Sequence, residues 1–559
     1  MTARDWTPID RLADEWVRTL ARLSPTFATY AGFPTPDDAL DDYSPEGTQQ
    51  WADEARAMLR RVEQCPTRDT TDQVTKSGMI EDLRLSLDIV DSRWALRELN
   101  NIESPPQYIR DSFDLMPTDT PEDWEAIARR LAAVPRALEG YTRTLQLGIH
   151  KNITPARRQV EVVIRQLTDG YGRTSLFQQL AATAPESLPS SLRRALDEGA
   201  QAATGAYRAL IGFLREEELP AAAPSDGVGR DWYQLLSRQF VGTAVDLDET
   251  YEWGMAELQR MRDEQAAVAH QIVPGGTVAD AVAALDTDPR HLLHGTDALR
   301  AWMQRLADDA VTALGKTAFD IPEPVRTIEC LIAPTQTGGI YYTAPSDGFT
   351  RPGRMWWSVP PGVTDFHTWR ETTTVYHEGV PGHHLQLGMA VYLSDQLNSW
   401  RRLASGSSGF FEGWALYAER LMDELGYLND PADRLGMLDG QRMRAARILV
   451  DIGVHVGKQR PDGAGTWDGD YALDFFRREV SLDPQSTAFE VNRYLGWPGQ
   501  APSYKIGQRV WEQTRDAYLA ARPGSTLREF HHDALSLGSL TLDGLRRALA
   551  PDAPSEEQP

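Results

Sequence analysis

Apolar residues recur along most of this chain at intervals of three and four, the spacing that lays one stripe along an α-helix. Trp16, Leu20 and Leu23 form such a stripe behind the polar stretch Asp10 to Asp14. Met79, Leu83, Leu87 and Val90 form another inside 72–100. Further helices are predicted over 122–147, 156–180, 192–216 and 247–272. Segments of this length suit long antiparallel helices packed on one another. No fixed period repeats, so a solenoid is excluded. Strand character is confined to one region, with runs from Arg326 to Ile332, Gly339 to Thr343 and Arg354 to Val359 separated by turn-forming segments. A mainly α fold with a small antiparallel β-sheet follows.

The clearest break in composition is Leu219 to Gly229, rich in Ala, Pro and Gly. It divides an N-terminal helical lobe over 1–220 from a second lobe over 230–550 that holds the candidate chemistry, and 551–559 reads as a flexible tail. The 559 residues include 57 basic and 81 acidic side chains, a net charge of −24. That balance excludes a protein built to neutralise phosphates, so no nucleic-acid partner is expected. A 41% hydrophobic content excludes global disorder. No run of 18 apolar residues is present, and the first residues lack the apolar core of a signal peptide, so no membrane partner is expected. Cys65 and Cys330 are too few for a disulfide framework or a cysteine-based zinc site. A cytoplasmic location is the expectation.

Three of the eleven histidines fall inside His377-Glu-Gly-Val-Pro-Gly-His-His384. A zinc hydrolase helix normally carries H-E-x-x-H, with two histidines one turn apart and the glutamate acting on water. Here position 381 is proline. On a regular helix His383 would lie about 9 Å further along and about 240° round, too far to share a metal with His377. Pro381 cannot donate to the His377 carbonyl, and Gly382 tolerates unusual dihedrals. The segment therefore predicts a helix opened by a wide turn, with His383 swung back beside His377. His384 is the competing second ligand, and Glu378 is the candidate base.

A third ligand is expected to be a carboxylate. Phe410 to Arg420 reads as a helix with Glu412 and Glu419 seven residues apart on one face. Glu412 is the preferred ligand, and Glu419 is placed behind a ligand or at the metal itself. Arg447, Asp451 and His455 stack along one face of an otherwise apolar helix. They form either an internal ladder or a set in which Asp451 orients a ligating histidine while His455 or Arg447 meets substrate. The stretch Asn492 to Gly507 reads as a Pro- and Gly-rich loop opening a helix. It offers Arg493 to hold a carboxylate, with Tyr494 and Tyr504 to donate to an oxyanion.

Together, the 377–384 cluster, Phe411-Glu-Gly-Trp-Ala-Leu-Tyr417, Arg447 to His455 and Pro498-Gly-Gln-Ala-Pro-Ser-Tyr-Lys-Ile-Gly507 resemble a bacterial family known as domain of unknown function 885. That family is similar to the gluzincin metallopeptidases, which include helical deep-channel enzymes such as thimet oligopeptidase and angiotensin-converting enzyme. In dipeptidyl peptidase III the motif likewise carries an insertion between the histidines. The resemblance implies Zn2+ held by His377, His383 and Glu412, with Glu378 as base and Tyr504 on the oxyanion. The expected architecture is two lobes of long helices around a deep cleft. The expected activity is hydrolysis of short peptides, with the edge around Ile340–Thr343 holding the substrate backbone. Two rivals are hydrolysis of non-peptide amides and a catalytically inactive binding protein on the same fold.

Overall fold

Helices start where polar caps precede the apolar stripes. Thr7 accepts from the Asp10 amide while the Asp10 carboxylate bonds back, and Thr120 and Asp123 repeat this reciprocal cap. The computed structural model describes residues 4–33, 38–173, 175–334 and 339–551, and over these the chain is mainly helical. The helix expected over 247–272 is Leu247–Ile272, and that over 122–147 extends to Pro121–Lys151. Ser190–Phe213 continues into a π-helical turn at Leu214–Glu218. Two expected helices end early. Thr70–Asp91 stops before Arg93, which takes a left-handed φ of 64° and leads into a 3-10 turn. The 156–180 stripe splits around Gly172 into Arg157–Tyr171 and Leu176–Ala182.

The apolar stripes close over several cores. Ile9, Trp16, Val62, Met79 and Leu83 form the first, and a second spans 99–222 around Leu131, Leu145, Val160 and Tyr207. The span 1–220 therefore holds two cores. A larger one, built from 233–549, contains Trp369, Trp414, Tyr417 and Trp511. Trp400 belongs by sequence to the second half but packs into the first core. Beside it, Asn398 donates to Asp10 at 2.9 Å and Arg401 to Thr75 at 3.3 Å. The Leu219–Gly229 break is tied on both sides: Ala223 exchanges backbone hydrogen bonds with Pro155 and Arg157, and the Gly229 amide donates to the His455 carbonyl. The expected tail, 551–559, lies outside the described residues apart from Pro551.

The small sheet lies where the sequence placed it, with one antiparallel and one parallel pairing. Gly353–Trp357 is central, antiparallel to Ile340–Thr343 and parallel to Ile328–Ile332. The last of the three strands in sequence takes the middle, between the other two. A second, two-stranded sheet pairs Leu292–His294 with Asp365–His367. Its three-residue strands are too short to show alternation in the sequence. This pair runs straight into the helix Thr368–Glu378, and Val375 of that helix packs with Met355, Trp357 and Cys330 of the sheet. The sheets thus brace the helix that carries His377. Among the described residues, no helix is long and apolar enough to cross a membrane.

Trp400→Ala should cost about 3–5 kcal/mol, since it empties a fully buried site. Hydrogen exchange should show the loss first in residues 9–90; uniform destabilisation of the whole chain would contradict this placement.

Candidate metal centre

The helix Thr368–Glu378 stops at Gly379, whose amide still reaches the Val375 carbonyl at 2.9 Å. A turn follows, with a cis Val380–Pro381 peptide, and a new helix begins at His383. The Gly382 amide donates to the Tyr376 carbonyl at 3.1 Å, folding the turn back on the helix it has just left. A Cβ at Gly382 would collide with the His377 carbonyl, so this return requires glycine. The turn's carbonyls are met from outside: the Trp414 indole N–H donates to Pro381 at 2.9 Å and to Gly382 at 3.2 Å.

This return brings His383 beside His377, their rings perpendicular with centroids 4.9 Å apart. Glu412 completes the group. Its Oε2 lies 3.3 Å from His377 Nε2 and 3.6 Å from His383 Nε2, and one donor atom from each residue falls within 4.8 Å of the others. Tetrahedral donors around a zinc-sized ion sit about 3.3–3.4 Å apart, so the spacing suits a small divalent cation. Behind His377, Nδ1 donates to Glu419 Oε1 at 2.8 Å, and Glu419 Oε2 accepts from Thr373 at 2.7 Å. That leaves His377 Nε2 to face Glu412. Burial alone would lower the His377 pKa, but hydrogen bonds to Glu412 and Glu419 override it and raise it to about 10. Burial likewise opposes ionisation of Glu412, yet the two imidazoles hold it well below the usual carboxylate range. The two carboxylates thus favour positive charge at His377.

His384 points elsewhere. Its Nε2 donates to the Val325 carbonyl at 2.7 Å, so its Nδ1 accepts from the Tyr342 hydroxyl at 2.8 Å. Burial lowers its pKa to about 4 and keeps it neutral. Glu378 is 8% exposed and makes no hydrogen bond or ion pair among the described residues. Burial raises its pKa against the pull of His383 and His377.

The group of bacterial proteins of unknown function called DUF885 matches residues 25–549. The chain belongs to the DUF885 family. A Colwellia psychrerythraea structure named as a "putative lipoprotein" is similar, with a TM-score of 0.81 at 23% identity over 97% of this chain and 98% of that one. A Shewanella oneidensis protein of unknown function, given the same name, has a TM-score of 0.74 at 17% identity over 97% and 99%. A Pyrococcus furiosus carboxypeptidase reaches a TM-score of only 0.38 at 11% identity over 99% and 97%, too low to place both chains in one fold. No curated protein matches. The lipoprotein names correct the cytoplasmic expectation. Composition and cysteine count do not separate compartments, and two structures similar over nearly the whole chain are named as lipoproteins.

In this DUF885 protein a glycine crossing sets Tyr504 near Glu412. The helices Ser408–Glu424 and Ser503–Ala521 touch backbone to backbone at Gly413 and Gly507, where any Cβ would overlap the other chain. Glu412 and Tyr504 flank this contact. The Tyr504 hydroxyl has no hydrogen-bond partner among the described residues, while the Arg447 guanidinium lies 5.0 Å from its ring centroid.

The structure gives three expected functional groups internal partners instead. Tyr494 lies on the helix Pro484–Gly496 and donates to Glu490 at 2.5 Å, so it is not a free donor. Arg493, expected to hold a carboxylate at the site, instead meets Glu490 at 3.0 Å, and its other arm meets Gln500 at 2.6 Å. His455 is 1% exposed, donates to the Tyr494 carbonyl at 3.1 Å and stacks on Tyr233. Burial lowers its pKa to about 4. Asp451 accepts from the Gly499 amide at 3.0 Å; Glu419, not Asp451, stands behind the ligating-type histidine. In a buried helix such groups must find partners inside the protein. Sequence reasoning missed Glu490, which also accepts from Arg447 at 2.9 Å. Its spacing three and four residues before Arg493 and Tyr494 was the available signal.

Trp414→Phe keeps the bulk of the ring and removes the donor to the turn. Stability should fall by about 1–3 kcal/mol, with weaker binding of divalent metal in calorimetric titration. Unchanged metal affinity would show that the turn holds itself.

Proposed function

We propose that this protein is a zinc-dependent hydrolase that cleaves peptide bonds of short peptides. One observation carries the reading: His377, His383 and Glu412 converge on one point, with the unpaired carboxylate of Glu378 beside them. Two imidazoles and one carboxylate favour zinc, and Glu419 behind His377 is the arrangement that fixes a ligating ring. A bound zinc ion supplies Lewis acidity, which acidifies water and polarises a carbonyl. Glu378 takes a proton from the attacking water and delivers it to the departing amine, so the C–N bond breaks to one acid and one amine. Its burial-raised pKa suits that exchange. Tyr504 donates its free hydroxyl to the oxyanion that develops on the scissile carbonyl, and Arg447 keeps its ring in place.

The preference for short peptides rests on depth. His377 and Glu378 are 6% and 8% exposed, which favours a thin extended chain over a folded surface. The edge strand Ile340–Thr343, tied to the motif through Tyr342 and His384, is the proposed backbone partner. The names of the two similar structures support an exported or lipid-anchored setting.

Four variants test the assignment. Glu378→Gln should retain stoichiometric zinc and lose turnover on a peptide library by several orders of magnitude. Near-normal turnover of the metal-loaded variant would remove Glu378 as base. His383→Ala and Glu412→Ala should lose zinc, whereas His384→Ala should keep the metal in place and alter kinetics. Zinc loss in His384→Ala alone would reverse the ligand assignment.

A further inference from the structure

The helix Pro431–Val456 turns a polar face toward Tyr504 and Lys505, and its members differ in one respect. Gln441 accepts from Lys505 Nζ at 2.5 Å. Arg447 lies over the Tyr504 ring and donates to Glu490 and Tyr494. Arg444 sits between them, one turn from each, and has no hydrogen bond or ion pair among the described residues. Its Nε is sealed from solvent and unsatisfied. Its side chain folds back along the helix, with one terminal nitrogen against Gly440, where a Cβ would stand only 2.8 Å away. Glu378, Glu419 and Tyr504 all lie within range of its charge.

A half-buried guanidinium with a sealed, unpaired N–H costs stability and needs a reason to persist. Neighbouring arginines in this region show that partners are easily supplied: Arg447 and Arg493 share Glu490, and Arg442 pairs with Glu479. Arg444 has no such partner, and the proposed base lies within range of its charge.

We propose that Arg444 is a specificity residue that binds a carboxylate of the substrate, the free C-terminal carboxylate of a short peptide, beside the scissile bond. This deepens the hydrolase reading above and rests on it. A planar guanidinium matches a carboxylate with two parallel hydrogen bonds, and in a partly desolvated site such a pair is strong and selective. Two sources share this chemistry, the chain terminus and an acidic side chain. A short peptide with free termini is neutral overall, whereas added acidic side chains make it anionic and repelled by a protein of net charge −24, which favours the terminus. The enzyme then removes residues from, or splits peptides near, the C-terminal end.

The test uses zinc-loaded Glu378→Gln protein, which binds without turnover, and measures affinity by calorimetry for three peptides. These are Ala-Ala-Ala, its C-terminal amide, and Ala-Glu-Ala amide. The free tripeptide should bind about ten- to a hundredfold more tightly than its amide. Adding Arg444→Ala should abolish that ratio, and Arg444→Lys should restore part of it, with zinc stoichiometry unchanged in each. Preference for the Glu-containing amide alone would keep the carboxylate site and move its source to a side chain. Equal binding of all three, or no binding of the free tripeptide, by zinc-loaded protein overturns the proposal and leaves the hydrolase reading standing. Failure to load zinc overturns that reading itself. Should Arg444→Ala fail to fold, Arg444→Lys decides: a reduced ratio of free tripeptide to amide affinity is expected, and an unreduced one overturns the role of Arg444.

Discussion

Everything at the candidate metal centre depends on a turn that would not hold as part of a regular helix. Between His377 and His383 the backbone leaves one helix, reverses and enters another, and the cost is a set of main-chain groups without helical partners. The Trp414 indole meets the Pro381 and Gly382 carbonyls, and the Gly382 amide returns to Tyr376. Trp414 sits on the same helix as Glu412, so the residue that holds the turn and the residue that completes the donor set move together. The segment Phe411-Glu-Gly-Trp414 can thus be read position by position. Glu412 offers an oxygen, Gly413 permits the crossing that brings Tyr504 near, and Trp414 closes the turn.

Around this core, charge is arranged in separate pairs. Glu419 and Thr373 occupy the far side of His377, so its outward nitrogen is committed to the donor set. Glu490 draws Arg447, Arg493 and Tyr494 into one cluster, and its carboxyl is held down to about 2: burial would raise it, but the two arginines dominate. That cluster fixes the guanidinium over the Tyr504 ring while leaving the hydroxyl unbound. The region therefore has rigid walls and a few open groups: Glu378, Tyr504 and Arg444.

The sequence made the long helices legible because their stripes persist over many turns, as in Leu247–Ile272. It made the opened motif legible because Pro381 and Gly382 break a pattern whose chemistry is otherwise plain. His383 could be preferred over His384 on geometry alone; in the fold both nitrogens of His384 meet Val325 and Tyr342. Other features depend on contacts between distant segments, which no local pattern records. The parallel pairing of Ile328–Ile332, the Gly413–Gly507 crossing and the seating of Trp400 in the first core are of this kind. His455 and Arg493 looked chemical because polar residues in an apolar helix attract attention. Burial explains them equally well once Tyr494 and Glu490 are seen as their partners.

The central claim is that the return of the chain at Pro381–Gly382 builds one metal site from His377, His383 and Glu412. The most direct measurement is anomalous diffraction at the zinc edge from crystals of the zinc-loaded protein. The account predicts a single strong peak bonded to Nε2 of both histidines and to the Glu412 carboxylate, with His384 still on Val325 and Tyr342. No peak there, or a peak ligated by His384 in place of His383, would contradict it.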